Sequence, residues 1–255
     1  MDLENAIESV WRHTQAGIHF PKEWEGKLSQ REAYGVQLGL LNRYVAAGDT
    51  HVGWKVGLTS KATQSQFGLY EPIFGFLLRG DAKPSGTAFA TSELIRPGFE
   101  HELCLTVGKT LQGPGVTLEQ ARAAISTAAP ALEIVELRGD LRRDLSLVLT
   151  DNAGQKAFVT GEPITPIPAN VHLGEVRVDV FVNGTHMEQA QGTEVLGNPA
   201  ASVAWLANKL AEFGRPLEVG MQVMSGSFTR LYAATKGDHV EARFTPFGGV
   251  SARFA

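Results

Sequence analysis

Helical spacing in the first fifty residues, strand-length apolar runs broken by glycines from His51 onward, and an Asn-Gly pair after strict alternation together predict an α+β protein. Residues 1–50 form a helical N-terminal segment in this reading, and residues 51–255 form a β-rich domain.

Ile7, Val10 and Trp11 give one face of a first helix, which Pro21 closes off. Ser29-Gln30-Arg31-Glu32 is a capping box and opens a second helix. Its apolar face uses Val36, Leu40, Leu41, Tyr44 and Val45, and Gly48-Asp49 ends it. A third helix is expected from Thr117-Leu118-Glu119-Gln120, another capping box, through Ala128, with Pro130 as its stop. Val176 to Val182 alternates with period two and meets Asn183-Gly184, a type I′ hairpin signal. Ala201 to Phe213 reads as an amphipathic helix closed by Gly214. Strands are expected at Met221–Ser225, Val240–Phe244 and Val250–Phe254, separated by Gly237-Asp238 and Gly248-Gly249.

Composition removes several classes of function. The formal charge of −4 leaves no basic footprint for nucleic acid. No apolar run approaches the roughly 20 residues of a membrane span. One cysteine excludes an internal disulfide and fits a reducing compartment. With an acidic start, Met1-Asp2-Leu3-Glu4-Asn5, that lacks a signal-peptide core, a cytoplasmic location is expected.

Three carboxylates stand out. Glu100 and Glu102 share one face of a strand, because residues two apart point the same way. Glu133 sits inside the apolar run Ala131-Leu132-Glu133-Ile134-Val135, where an unpaired charge is costly. Such acids suit a hard divalent cation bound through oxygen. The pattern fits equally a solvated strand face plus one salt-bridged glutamate. Lys55, between Trp54 and Val56, reads as a lysine on a strand entering the core, where it could move protons near neutral pH. A lysine that snorkels to the surface is the other reading. The following Gly57, Thr59, Ser60 and Lys61 form a loop of hydroxyls and donors suited to a carboxylate. Cys104 shares the strand face of Glu100 and Glu102 and reads as a small buried apolar residue. His101-Glu102 has Leu105 where a zinc-peptidase helix needs its second histidine. The sequence carries no phosphate-cradling loop, nucleophile elbow or dinucleotide fingerprint.

With these stretches in hand, the chain resembles the 2-keto-4-pentenoate hydratase / 4-oxalocrotonate decarboxylase group of the fumarylacetoacetate hydrolase superfamily. The similarity extends to Asp151-Asn152-Ala153, Val195-Leu196-Gly197-Asn198-Pro199, Trp205-Leu206-Ala207-Asn208, Ser225-Gly226-Ser227-Phe228-Thr229 and Lys236-Gly237-Asp238. It implies a fumarylacetoacetate-hydrolase-like mixed β core, with residues 51–255 as the metal-binding catalytic domain. It further implies that Glu100, Glu102 and Glu133 hold Mg²⁺ or Mn²⁺ and that Lys55 is the general acid/base. Thr59, Ser60 and Lys61 would bind substrate carboxylate, and Thr229 would add a further contact.

Hydratases of this group carry an acid in Pro-Asp-Phe-Gly, whereas decarboxylases carry Pro-Ile-Tyr-Gly-Phe-Leu. This chain has Pro72-Ile73-Phe74-Gly75-Phe76-Leu77, the decarboxylase form, which places Ile73 beside the substrate. The C-terminal Gly249-Val250-Ser251-Ala252-Arg253-Phe254 also resembles that branch. The group's Asp-Asn-Ala-Ser-Ser is here Asp151-Asn152-Ala153-Gly154-Gln155, and its Glu-Val-Ile-Asp-Ser-Arg is here Glu133-Ile134-Val135-Glu136-Leu137-Arg138. The expected activity is divalent-metal-dependent decarboxylation of an unsaturated 2-oxo dicarboxylate in catabolism of aromatic ring-cleavage products. A small-molecule 2-oxo acid substrate, a homo-oligomer and a complex with a cognate hydratase are implied as partners. Alternatives are a hydratase of 2-hydroxypenta-2,4-dienoate, an acylpyruvate carbon–carbon hydrolase and a non-catalytic partner subunit.

Overall fold

Asp2 opens the first helix, α1 (Leu3–Gln15), by accepting from the backbone N–H groups of Glu4 and Asn5 at 3.1 and 3.3 Å. The computed structural model describes residues 2–66 and 69–255. In α2 (Gln30–Ala46) the capping box is formed: Ser29 N–H donates to Glu32 Oε2 and Glu32 N–H donates to Ser29 Oγ. The two helices approach closely because a Cβ at Gly39 would fall 2.5 Å from Ile7 Cδ1. Val36, Leu40 and Leu41 are buried as expected. Val45 is 45% exposed instead, in the last turn beyond the packed stripe. Buried Gln37 ties α2 to the rest, donating through Nε2 to Phe74 O at 3.1 Å and to Leu149 O at 2.8 Å.

The chain continues through β1 (His51–Gly57), α3 (Lys61–Gln66), β2 (Ile73–Leu78), β3 (Ala82–Pro84) and β4 (Thr87–Phe89). Then come β5 (Pro97–Val107), α4 (Leu118–Ala124), β6 (Ile125–Glu136), α5 (Leu145–Thr150) and β7 (Gln155–Thr160). The remainder comprises β8 (Arg177–Val182), β9 (Thr185–Gln191), α6 (Pro199–Ala211), β10 (Gln222–Met224), β11 (Tyr232–Ala233), β12 (His239–Thr245) and β13 (Gly248–Phe254). One sheet has the order β2-β1-β10-β5-β6-β7-β3, with β11 also paired to β5. The other has the order β4-β13-β12-β8-β9, and its β12 and β13 pack against β6. Both sheets are mixed, with parallel pairs at β1/β10, β3/β7 and β4/β13. A continuous apolar core runs from Ala6, Ile7 and Val10 to Val250 and Phe254.

The hairpin at Asn183-Gly184 forms, joining β8 to β9. The third helix stops at Ala124 rather than Ala128, and Pro130 lies within β6. Pairing of Leu105 with Ala128 and of Cys104 with Ala129 buries both alanines, and this outweighs their helix preference. The last helix starts two residues sooner than expected, at Pro199, because Asn198 Oδ1 caps Ala200 N–H at 2.9 Å. Among the described residues, no helix is long and apolar enough to cross a membrane.

Candidate metal centre and its cleft

The two long strands β5 and β6 run antiparallel with Glu100 directly opposite Glu133. Glu102 follows two residues along β5 on the same face as Glu100. One oxygen from each carboxylate lies within 4.8 Å of the others. Glu102 and Glu133 are buried, while Glu100 opens into a cleft.

Carboxylates this close and this dry do not all stay ionised unaided. Burial first, then the charge of Glu133, pushes the Glu100 carboxyl up to about 7. Burial, then Glu133 and Glu100, holds Glu102 well above the ordinary carboxylate range. Two features oppose this for Glu102: a hydrogen bond to Oε2 from Gly226 N–H at 2.8 Å, and the charge of Lys55. Glu102 Oε1 and both Glu133 oxygens have no hydrogen-bond donor among the described residues. Three converging acids, two of them with buried oxygens that no hydrogen-bond donor satisfies, fit a hard divalent cation. Cys104, on the same face, is buried with its thiol pushed up to about 12 by burial and by Glu102, and the converging ligand atoms come from the three glutamates without it.

Strand β1 carries Lys55 into the core, leaving it 4% exposed. Its Nζ donates to Ala153 O at 2.9 Å and lies 3.3 Å from Glu133 Oε1. The accepting carbonyl is presented by a turn of three left-handed residues, Asn152, Ala153 and Gly154, with φ of 53°, 52° and 74°. Asn152 clips the turn to β2: Oδ1 accepts from Phe76 N–H at 2.7 Å and Nδ2 donates to Phe76 O at 2.9 Å. A Cβ at Gly154 would meet Glu136 O at 3.0 Å, so glycine relieves both the backbone and this close approach. From the other side Arg138 braces the turn, through Nε to Asp151 Oδ2 at 2.6 Å and Nη1 to Glu136 Oε2 at 2.7 Å. His19 Nδ1 lies 3.1 Å from Asp151 Oδ1, so the N-terminal segment joins the same network.

The cleft above Glu100 encloses about 690 Å³. Lys55, Thr59, Ser60, Ile73, Glu100 and Thr229 all line it, and Phe20 reaches its wall. Glu102 and Glu133 lie beneath. Thr59 is buried against Gly226, whose φ is +104° and where a Cβ would come 2.7 Å from Thr59 Oγ1. Ile73 and Lys55 converge over Gly57: a Cβ there would lie 3.4 Å from Ile73 Cγ1 and 3.5 Å from Lys55 Nζ. Lys61 heads α3 as an exposed residue and does not line the cleft.

Sequence reasoning did not find the carbonyl of Ala153, the N–H of Gly226, the Glu136-Arg138-Asp151 network or the contact of His101 with Thr229. Backbone groups carry no residue signature. The Asn152-Ala153-Gly154 turn alone left one, since Asn and Gly favour left-handed backbone.

The family model for the fumarylacetoacetate (FAA) hydrolase C-terminal region matches residues 83–255. The chain belongs to the fumarylacetoacetate hydrolase family. It is 38% identical over 224 residues to 4-oxalocrotonate decarboxylase of Pseudomonas sp. (strain CF600), covering 88% of this chain and 84% of that protein. It is 35% identical over 231 residues to 2-hydroxyhexa-2,4-dienoate hydratase of Comamonas testosteroni, covering 89% and 87%. The solved structure of 4-oxalocrotonate decarboxylase from Pseudomonas putida G7, complexed with magnesium and adipate, superposes with a TM-score of 0.92 at 33% identity. That match covers 99% of this chain and 98% of the other. The mixed two-sheet core and N-terminal helices are thus those of a fumarylacetoacetate hydrolase family member.

Proposed function

We propose that this protein is a divalent-metal-dependent lyase that removes CO₂ from an unsaturated 2-oxo dicarboxylate of the 4-oxalocrotonate type, in catabolism of aromatic ring-cleavage products. Supporting this reading is the convergence of an apolar side chain, Ile73, and the ammonium of Lys55 over Gly57 in the cleft beside Glu100. Glu100, Glu102 and Glu133 would hold Mg²⁺ or Mn²⁺, which supplies Lewis-acid withdrawal of the charge that develops at the 2-oxo oxygen.

In 2-oxohex-3-enedioate the bond to the distal carboxyl carbon breaks. Its electron pair moves through the conjugated chain to the 2-oxo oxygen, and Lys55 handles the proton transfer. Thr59, Ser60 and Thr229 hold carboxylate oxygens through their hydroxyls; Lys61, exposed at the start of α3, adds positive charge from outside the cleft lining. Ile73 keeps water from the leaving carboxylate, favouring neutral CO₂ over a hydrated anion.

Every proposed site residue falls within 51–255, in keeping with a catalytic domain there and a helical segment at 1–50. The family resemblance supports a homo-oligomer, a complex with a cognate hydratase and a cytoplasmic location. Hydration of 2-hydroxypenta-2,4-dienoate is the second reading, favoured by the identity to the Comamonas hydratase. Purified protein with Mg²⁺ and 2-oxohex-3-enedioate should release CO₂ faster than it hydrates the pentadienoate. Hydration without CO₂ release would select the second reading.

A further inference from the structure

We propose that His101 is a positioning residue, whose Nδ1–H fixes the Thr229 hydroxyl as a donor to an anionic oxygen of the substrate. This role depends on Thr229 touching substrate, as in the function proposed above.

Alternation along β5 turns His101 away from Glu100 and Glu102, to the opposite face. There the ring is fully buried, edge-on to Phe99 at 5.4 Å and to Tyr232 at 5.6 Å between centroids. Nδ1 lies 2.7 Å from Thr229 Oγ1, and Thr229 Oγ1 lies 3.0 Å from Arg230 O. A hydroxyl has one proton, so Thr229 cannot donate to both. His101 Nε2 is buried with no partner among the described residues. A ring proton on Nε2 would leave a buried N–H orphaned, whereas a proton on Nδ1 leaves only a lone pair, the lesser cost. Nδ1–H therefore donates to Thr229 Oγ1, and the Thr229 proton rests on the Arg230 carbonyl. A carboxylate or enolate oxygen entering the cleft can take that proton in place of the carbonyl. A neutral hydroxyl that must donate finds one of the two lone pairs of the Thr229 oxygen already taken by Nδ1–H.

The same strand fixes where this donor sits. Ser225 N–H donates to Leu103 O at 3.1 Å, Gly226 N–H to Glu102 Oε2 at 2.8 Å and Phe228 N–H to His101 O at 2.9 Å. Residues 225–229 are thereby fastened to the strand that carries two of the clustered acids. The imidazole completes this fastening at the one side chain of the loop that both lines the cleft and faces His101.

Two measurements test the role. In metal-free protein with ¹⁵N-labelled histidine, His101 should show the neutral Nδ1–H tautomer, and an Nε2–H tautomer would overturn the proposal. In the Mg²⁺-loaded enzyme with 2-oxohex-3-enedioate, Thr229→Val should lower kcat/KM by roughly tenfold to a hundredfold, the range for a hydrogen bond to a charged group. His101→Leu should reproduce most of that loss, and the double variant should be no worse than Thr229→Val alone. His101→Asn should restore activity, because its amide N–H can take the place of Nδ1–H. Multiplying effects, or a normal His101→Leu beside an impaired Thr229→Val, would overturn the positioning role alone. A normal Thr229→Val would remove Thr229 from the substrate site and overturn both. If His101→Leu does not fold, the tautomer and His101→Asn decide.

Discussion

Lys55 Nζ lies 3.3 Å from Glu133 Oε1, yet its hydrogen bond goes to Ala153 O at 2.9 Å. The ammonium faces the acid cluster without being consumed by it. An attractive charge is thus supplied to Glu133 while its carboxylate oxygens have no hydrogen-bond donor to displace, and Lys55 lines the cleft. Removing either partner separates the two roles.

Lys55→Met keeps the length of the stem and deletes the charge. Turnover should fall by about 10² to 10⁴, the range for loss of a general acid/base. Mg²⁺ affinity by calorimetry should hold or tighten, since a positive charge beside the cluster is gone. Retained kcat with only a raised KM would demote Lys55 to binding.

Glu133→Gln keeps the shape of a buried side chain and removes one of three charges. Wild-type protein should gain thermal stability with Mg²⁺, by about 2.7 kcal/mol at a hundred times Kd. The variant should lose most of that gain and most of its turnover. An unchanged Mg²⁺ response in a thermal-shift titration would remove Glu133 from the metal set.

The raised carboxyls give this response a pH dependence. Glu100 is shifted to about 7 and Glu102 is shifted upward too, so the metal-free fold favours their protonated forms. That contribution is fully present below the ordinary carboxylate range and is lost as pH rises through about 7 for Glu100. Metal-free protein should therefore lose stability as pH rises from the ordinary carboxylate range to about 7. Mg²⁺ must displace those protons, so its stabilising effect should grow over the same span, with protons released on binding. Calorimetry in buffers of different ionisation enthalpy measures that release. Proton-neutral binding at pH 6 would contradict the coupled-acid picture.

Local signals survived folding best. The Ser29/Glu32 capping box and the Asn183-Gly184 hairpin need only neighbouring residues, and both formed. The convergence of Glu100, Glu102 and Glu133 was legible because strand periodicity fixes a face and an acid in an apolar run demands a partner. Ile125 to Ala128 misled because the capping box and the alanines on either side favour helix, whereas the β-branched Ile125 and Thr127 pair with β5 as strand. Lys61 was grouped with Thr59 and Ser60 by proximity in sequence, but α3 begins at Lys61 and turns it outward. The contacts of Lys55 with Ala153 and of His101 with Thr229 span 98 and 128 residues, and nothing in either local pattern announces them.

Gly75 tests the support beneath Lys55. A Cβ there would fall 2.8 Å from Asn152 Oδ1, 2.9 Å from Asn152 O and 3.3 Å from Lys55 Cε. Gly75→Ala should push the Asn152-Ala153-Gly154 turn away and cost about 1–3 kcal/mol of stability, as for overpacking. Activity should fall further than stability does, because the carbonyl that orients Lys55 moves with the turn. A variant with wild-type kcat would show that Lys55 needs no such orientation.

Ile73 separates the two chemistries. Its side chain is buried and borders the cleft, converging with Lys55 over Gly57. In decarboxylation a carboxylate must lose its charge as it leaves, so an apolar neighbour favours the product over the ground state. Ile73→Asp places a carboxylate and its water where that group departs. Like-charge repulsion should weaken dianion binding, and the added water should favour the charged carboxylate over CO₂. The expected result is a lower kcat and a higher KM for CO₂ release from 2-oxohex-3-enedioate, while Mg²⁺ affinity stays near wild type. Hydration of 2-hydroxypenta-2,4-dienoate need not appear, since a water must also be aimed at the reacting carbon. Ile73→Asn carries the bulk and polarity without the charge, and should fall between the two. Undiminished CO₂ release by Ile73→Asp would remove Ile73 from the path of the leaving group and the decarboxylase reading would lose its main support.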